Sequence, residues 1–156
     1  MKTFQIETQI VYSQVVLFNN TIEYPFSNWS DTHVNQGFVW REGTISFGSL
    51  DESDDSLINF ILRKTNDFEW DIDSKIQIAL PFHVLSTIEF GSLFETVEVD
   101  LPNALYQIYF EAKEVNNRGI YNITFVQNSN PISIVNCLED GRNPPVNLLM
   151  DGEPAI

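Results

Sequence analysis

Along most of the chain apolar and polar positions alternate with a period of two, the repeat of a strand that buries one face. Phe4 and Ile6, Ile10 and Tyr12, and Val15 and Leu17 open the pattern. It continues in runs at 38–41, 44–48, 57–63, 75–82, 85–90, 94–100, 104–112, 120–127 and 132–137. Turn-forming residues divide the runs, among them Gly43, Gly48, Pro81, Gly91-Ser92, Leu101-Pro102-Asn103, Asn116-Asn117-Arg118-Gly119 and Asn128-Ser129-Asn130-Pro131. Short strands at such intervals predict an all-β fold, a β-sandwich. The alternation favours antiparallel pairing, because parallel strands covered on both faces read as unbroken apolar runs.

One short helix is expected near residues 31–36. Ser30 or Asp31 can cap its amino end, and Gly37 can take the left-handed conformation that closes it. Beyond Cys137 the period is lost. The expected organisation is therefore a β-sandwich domain over 1–138 and an acidic, proline-containing tail over 139–156. Within that tail Val146–Met150 is a short apolar segment able to dock on the domain or on a partner.

Composition supports a folded chain. Of 156 residues 43% are hydrophobic and twelve are Phe, ample apolar area to offset chain entropy despite the charge. The alternating amino terminus is unlike a signal peptide, and no apolar stretch approaches bilayer length. Cys137 is the only cysteine, which excludes an internal disulfide and points to a reducing compartment. A cytoplasmic location is expected.

Charge changes the picture most. Twenty-two acidic residues face eight basic ones, a net charge of -14. Asp51, Glu52, Asp54 and Asp55 form one group and Asp67, Glu69, Asp71 and Asp73 a second, with only Arg63 and Lys64 between them as cations. Such a field repels polyanions and attracts cations or basic proteins. Direct binding to nucleic acid or to an anionic membrane is disfavoured, since aromatic residues are present but a cationic groove is not.

Catalytic signals are weak. His33 and His83 are the only side chains with an ordinary pKa near neutrality, no Ser stands in a G-x-S-x-G elbow, and Cys137 has apolar sequence neighbours. Neither an enzyme nor a cofactor is implied. The acidic loops leave open a calcium-dependent binding module, but Asp71-Ile72-Asp73-Ser74-Lys75 lacks the third ligand of an EF-hand loop and puts a cation in the ligand run. The other reading is a negative surface that recognises a basic protein, with Trp70, inside the second acidic group, as its apolar anchor.

The segment from Asn28 to Phe47 resembles the competence protein J family, inhibitors of the DNA-entry nuclease of competent bacteria. The matching features are Trp29-Ser30-Asp31, the short helix, Phe38 after Gly37, and Gly43-Thr44-Ile45-Ser46-Phe47. The likeness extends upstream to residues 10–18 and downstream to Pro81-Phe82-His83-Val84 and Val99-Asp100-Leu101-Pro102, with Leu105-Tyr106-Gln107 following. Order and rough spacing are kept from about residue 8 to residue 112, while both acidic groups fall where the match is poorest. The resemblance implies a nuclease inhibitor or an immunity protein whose partner is a DNA nuclease or nuclease toxin. No inhibitory residue carries over by position.

Overall fold

The computed structural model describes residues 2–50, 55–139 and 142–156. In chain order its elements are β1 (Lys2–Thr8), β2 (Gln14–Asn19), α1 (Asp31–Gln36), β3 (Phe38–Arg41), β4 (Thr44–Gly48), β5 (Ser56–Arg63), β6 (Ile76–Val84), β7 (Ile88–Ser92), β8 (Thr96–Val99), β9 (Ala104–Val115), β10 (Arg118–Gln127) and β11 (Ile134–Cys137). They build a six-stranded sheet in the order β1-β5-β10-β9-β6-β11 and a five-stranded sheet in the order β3-β4-β2-β7-β8. Inward residues of both sheets meet in one core, where Phe47 stacks on Phe110 at 4.0 Å and Phe60 meets Phe90 at 5.5 Å. Each such buried ring contributes roughly 1.5–3 kcal/mol.

The all-β expectation holds, with one difference in pairing. β5 and β10 run parallel, Asn59 facing Asn122, whereas the other paired strands are antiparallel. The cause is topological. The β9–β10 hairpin, closed by Asn116 and Asn117 at φ 53 and 64, lies between β5 and β6. Strands β5 and β6 therefore point the same way, and the chain joining them, residues 64–75, crosses outside the sheet because the inside is filled. Two boundaries also moved. Pro81 does not end a strand: β6 runs through it to Val84. The Pro81 carbonyl accepts from Trp40 Nε1 at 2.8 Å, so the missing N–H falls on the side away from β9, beyond the reach of β11. Ile10 and Tyr12 are not in a strand, since Tyr12 and Ser13 turn the chain at φ 55 each.

Ser30 is the cap of α1, accepting from the His33 amide, while the His33 ring accepts from the Ser30 amide. Gly37 closes the helix at φ 91.

The tail is not loose. Gln36, fully buried, donates to the Leu149 carbonyl and accepts from the Leu149 amide, both at 2.9 Å. Gln107, 1% exposed, does the same for Ile132, at 2.9 and 2.8 Å. Each buried amide side chain thus stands in for a stretch of backbone. Leu148 and Met150 pack on the core, Gly152 donates to the Trp40 carbonyl, and Ala155 donates to the Phe26 carbonyl. Val146, by contrast, is fully exposed.

Gln36→Ala is expected to cost about 1–3 kcal/mol, seen as a lower melting temperature and faster amide exchange across residues 146–156. Unchanged exchange there would mean that Leu148 and Met150 hold the tail by themselves.

Candidate functional site

The crossover that joins β5 to β6 carries the second acidic group. It lies over the outer face of the six-stranded sheet, held down by aromatic contacts and by its own backbone. Phe68 stacks on Tyr109 of β9 at 4.0 Å, and Trp70 meets Phe68 and Tyr109 edge-on at 4.9 and 5.6 Å. Residues 68 and 70 face the sheet together, as expected of an extended segment. Trp70 therefore attaches the strap to the sheet and leaves only part of its surface outward. Ile72, flanked by Asp71 and Asp73, is 94% exposed at the next turn. Sequence patterning gave no reason to single it out, because one apolar residue in a polar loop carries no period.

The carboxylates of the strap differ in what they hold. Asp67 accepts from Thr65 at 2.9 Å and from Arg63 at 2.8 Å, bonds that lower its pKa. Asp71 accepts from Lys113 at 2.7 Å and from the Asp73 amide at 2.9 Å, which again lowers its pKa and raises that of Lys113. Glu69 and Asp73 are exposed, as is Asp55 at the start of β5. Asp51, Glu52 and Asp54 lie outside the described residues. With Asp71 engaged by an ammonium and an amide, its two oxygens already have donors. Among the described residues no three His, Cys, Asp or Glu side chains gather as a metal-ligand set.

Beneath the strap a row of polar side chains crosses the whole sheet at one register. Gln5 of β1 donates to Asn59 of β5 at 2.7 Å, Asn59 donates to Asn122 of β10 at 2.8 Å, and Asn122 bonds Glu111 of β9. Glu111 accepts from the Asp71 amide at 3.0 Å, Gln77 of β6 donates to the Asp71 carbonyl at 3.0 Å, and Asn136 at β11 donates to Gln77. The strap is stitched to the sheet at the centre of this row. Glu111 is 7% exposed, and its burial pushes its pKa up.

The remaining candidates are dispersed. His83 is exposed, 4.0 Å from Glu42, whereas His33 is buried in α1 with its pKa lowered by desolvation. Cys137 lies against the carbonyls of Ser74 and Lys75, and burial raises its pKa, the opposite of a reactive thiol. No nucleophile–base pair forms among them.

Glu111 provides a pH test. Because its folded pKa is raised, the folded state prefers the protonated form, so this contribution is fully present at low pH and is lost as pH rises above 4.5 through the folded value. Glu111→Gln keeps an acceptor for the Asp71 amide and removes the buried charge. It is expected to leave stability near pH 4 unchanged and to raise it at pH 7, measured by urea unfolding at both values. Equal effects at the two pH values would show that the Glu111 charge is already compensated.

A family model described as competence protein J (ComJ) matches residues 7–126. A curated protein of Bacillus subtilis (strain 168), described as a DNA-entry nuclease inhibitor, is 29% identical over 104 residues, covering 65% of this chain and 76% of its own. The crystal structure of ComJ from Bacillus subtilis, described as inhibitor of the DNA-degrading activity of NucA, superposes with a TM-score of 0.70 at 25% identity, covering 81% of this chain and 98% of that one. A structure described as crocagin biosynthetic gene J shares the fold alone, with a TM-score of 0.54 at 9% identity over 79% of this chain and 96% of its own. Residues 127–156, with β11 and the docked tail, lie beyond the family match. No described helix is long and apolar enough to cross a membrane.

Proposed function

The chain belongs to the competence protein J family, and on that premise we propose that it is a protein inhibitor of a DNA nuclease, or an immunity protein against a nuclease toxin. It acts by binding and obstructing the enzyme's cationic cleft, not by catalysis, and uses neither a cofactor nor bound nucleic acid. The observation that carries the reading is the acidic strap, fixed across a rigid sheet, in a family whose Bacillus subtilis relative is described as a DNA-entry nuclease inhibitor.

A nuclease holds phosphates with cationic groups along its cleft. An inhibitor that displaces the substrate must offer negative charge without the flexibility that would cost entropy on binding. The strap meets that requirement because its backbone is tied to Glu111 and Gln77 and its rings to Tyr109. Glu69, Asp73 and Asp55 supply the outward charge, and Asp51, Glu52 and Asp54 precede Asp55 in sequence. Asp67 and Asp71 have cations of their own within the chain and serve to shape the strap. The exposed side of Trp70 and the projecting Ile72 form the apolar anchor. The charges speed encounter and set register, and the anchor holds the complex.

Two expectations separate these roles in nuclease inhibition assays. Glu69→Lys with Asp73→Lys is expected to slow association by about tenfold or more at low salt, an effect that shrinks as salt screens the charges. Ile72→Ala is expected to weaken binding by about 1–2 kcal/mol through faster dissociation with the association rate unchanged. Full inhibition at low ionic strength by a chain carrying Glu69→Lys, Ile72→Ala and Asp73→Lys together would remove the strap from the interface.

A further inference from the structure

A sheet can recruit another strand wherever an edge leaves backbone groups unpaired, and folded proteins blunt such edges with charge or cover. The two sheets end in four edge strands, β1, β11, β3 and β8. Three of them are protected. β1 carries Lys2 and Glu7. β8 carries Glu98, with Glu95 and Asp100 beside it in the chain. β3 is crossed by the carboxyl-terminal segment, where Gly152 donates to the Trp40 carbonyl and a Cβ on it would meet Val39 Cγ1 at 2.6 Å. β11 has neither protection. No charged residue occurs from residue 128 to residue 138, and Ile132 and Ile134 are 57% and 45% exposed.

The directions of the backbone groups along this edge follow from Gln107. Its side chain donates to the Ile132 carbonyl at 2.9 Å and accepts from the Ile132 amide at 2.8 Å, so both groups of Ile132 point into the sheet. Backbone direction alternates along an extended strand. Ile134, opposite Ala79 of β6, therefore points inward again, and Ser133 and Val135 turn their N–H and C=O groups off the sheet. The side chains divide between the two faces. Val135 packs on the core, whereas Ile134 lies in line with Ala79 and Tyr109 on the outer face. Among the described residues no strand lies beyond β11.

We propose that this edge is a self-association surface, on which β11 of one chain pairs antiparallel with β11 of a second copy about a two-fold axis at Ile134. In that register Ser133 of each copy faces Val135 of the other, and the outward amides and carbonyls of both residues find partners. Ile134 meets its own counterpart at the closely spaced, non-hydrogen-bonded position, and Ile132 of each copy lies opposite Asn136 of the other. The charge distribution selects the occupant. A basic partner would be answered by carboxylates, as on the strap, and this edge has none. A second copy brings the same net charge of -14, and the open edge able to approach it is the one without charge. β11 lies beyond the family match, so the surface belongs to the added part of this chain. A contact this short gives a weak dimer, which forms and separates as concentration changes. The proposal stands apart from the inhibitor reading, because no carboxylate of the strap takes part.

Sedimentation equilibrium of the full chain tests this. The average mass is expected to rise from one chain towards two between micromolar and millimolar concentration. Added salt is expected to strengthen association, because it screens the repulsion between two acidic copies and the contact holds no ion pair to weaken. Ser133→Pro removes only an outward-facing amide, a change that an edge strand tolerates. It is expected to weaken the dimer at least tenfold with the melting temperature unchanged. Ile134→Lys is expected to do the same by setting like charges directly opposite each other at the axis. Register is read by disulfide formation in a Cys137→Ser chain. There Ile134→Cys is expected to cross-link two copies on mild oxidation, whereas Ile132→Cys, opposite Asn136, is not. A chain that stays monomeric at millimolar concentration, a dimer indifferent to Ser133→Pro and Ile134→Lys, or one that salt dissociates would overturn the proposal. Equal cross-linking from positions 132 and 134 would overturn it as well.

Discussion

The structure depends on one topological constraint: a long hairpin occupies the middle of the six-stranded sheet, between two strands that are neighbours in sequence. Because β9 and β10 fill that place, the chain leaving β5 cannot return to β6 through the core and has to pass over the solvent face. A polar face that would otherwise be open water becomes the bed for an ordered segment. The acidic residues of that segment are consequently held against a sheet instead of hanging from a loop. Fixed negative charge, the property the proposed function requires, is in this sense a product of strand order.

The row of amides under the strap shows how the bed is made compatible with it. Amide side chains both donate and accept, so Gln5, Asn59 and Asn122 pass hydrogen bonds from strand to strand without leaving charge behind. The row meets the strap at Glu111 and Gln77, which take the Asp71 amide and carbonyl respectively. An extended crossover has no ladder partner of its own, and these two side chains supply one. The same solution recurs at Leu149 in the tail and at Ile132 before β11, where Gln36 and Gln107 respectively satisfy both backbone groups of the residue. Polar residues on and under this sandwich therefore act mainly as substitutes for missing strands.

Much of the fold was legible in the sequence because strands with one buried face declare themselves by alternation. Val15 and Leu17, Phe47, and the run ending at Ala112 all point inward as their period requires. The helix was legible because Ser30 and Gly37 carry backbone chemistry that few other residues supply. Pro81 misled, since the edge position that tolerates it is a property of β11's short length and not of the local sequence. The parallel pair was hidden because alternation reports burial and not direction. At the strap, acidity was visible but its placement was not. Whether Phe68 and Trp70 face solvent or Tyr109 is decided by a residue forty positions away in the chain, and the engagement of Asp71 by Lys113 is equally long-range. The glutamine contacts could not be read at all, because a buried Gln has no pattern.

The arrangement of the two glutamines bears on which parts of the fold depend on which. Both precede the backbone they hold, Gln36 by 113 residues and Gln107 by 25. Every strand of the sandwich except β11 precedes that backbone in sequence, and their pairing does not involve it. Residues 148–155 thus lie like a latch across strands that pair without them.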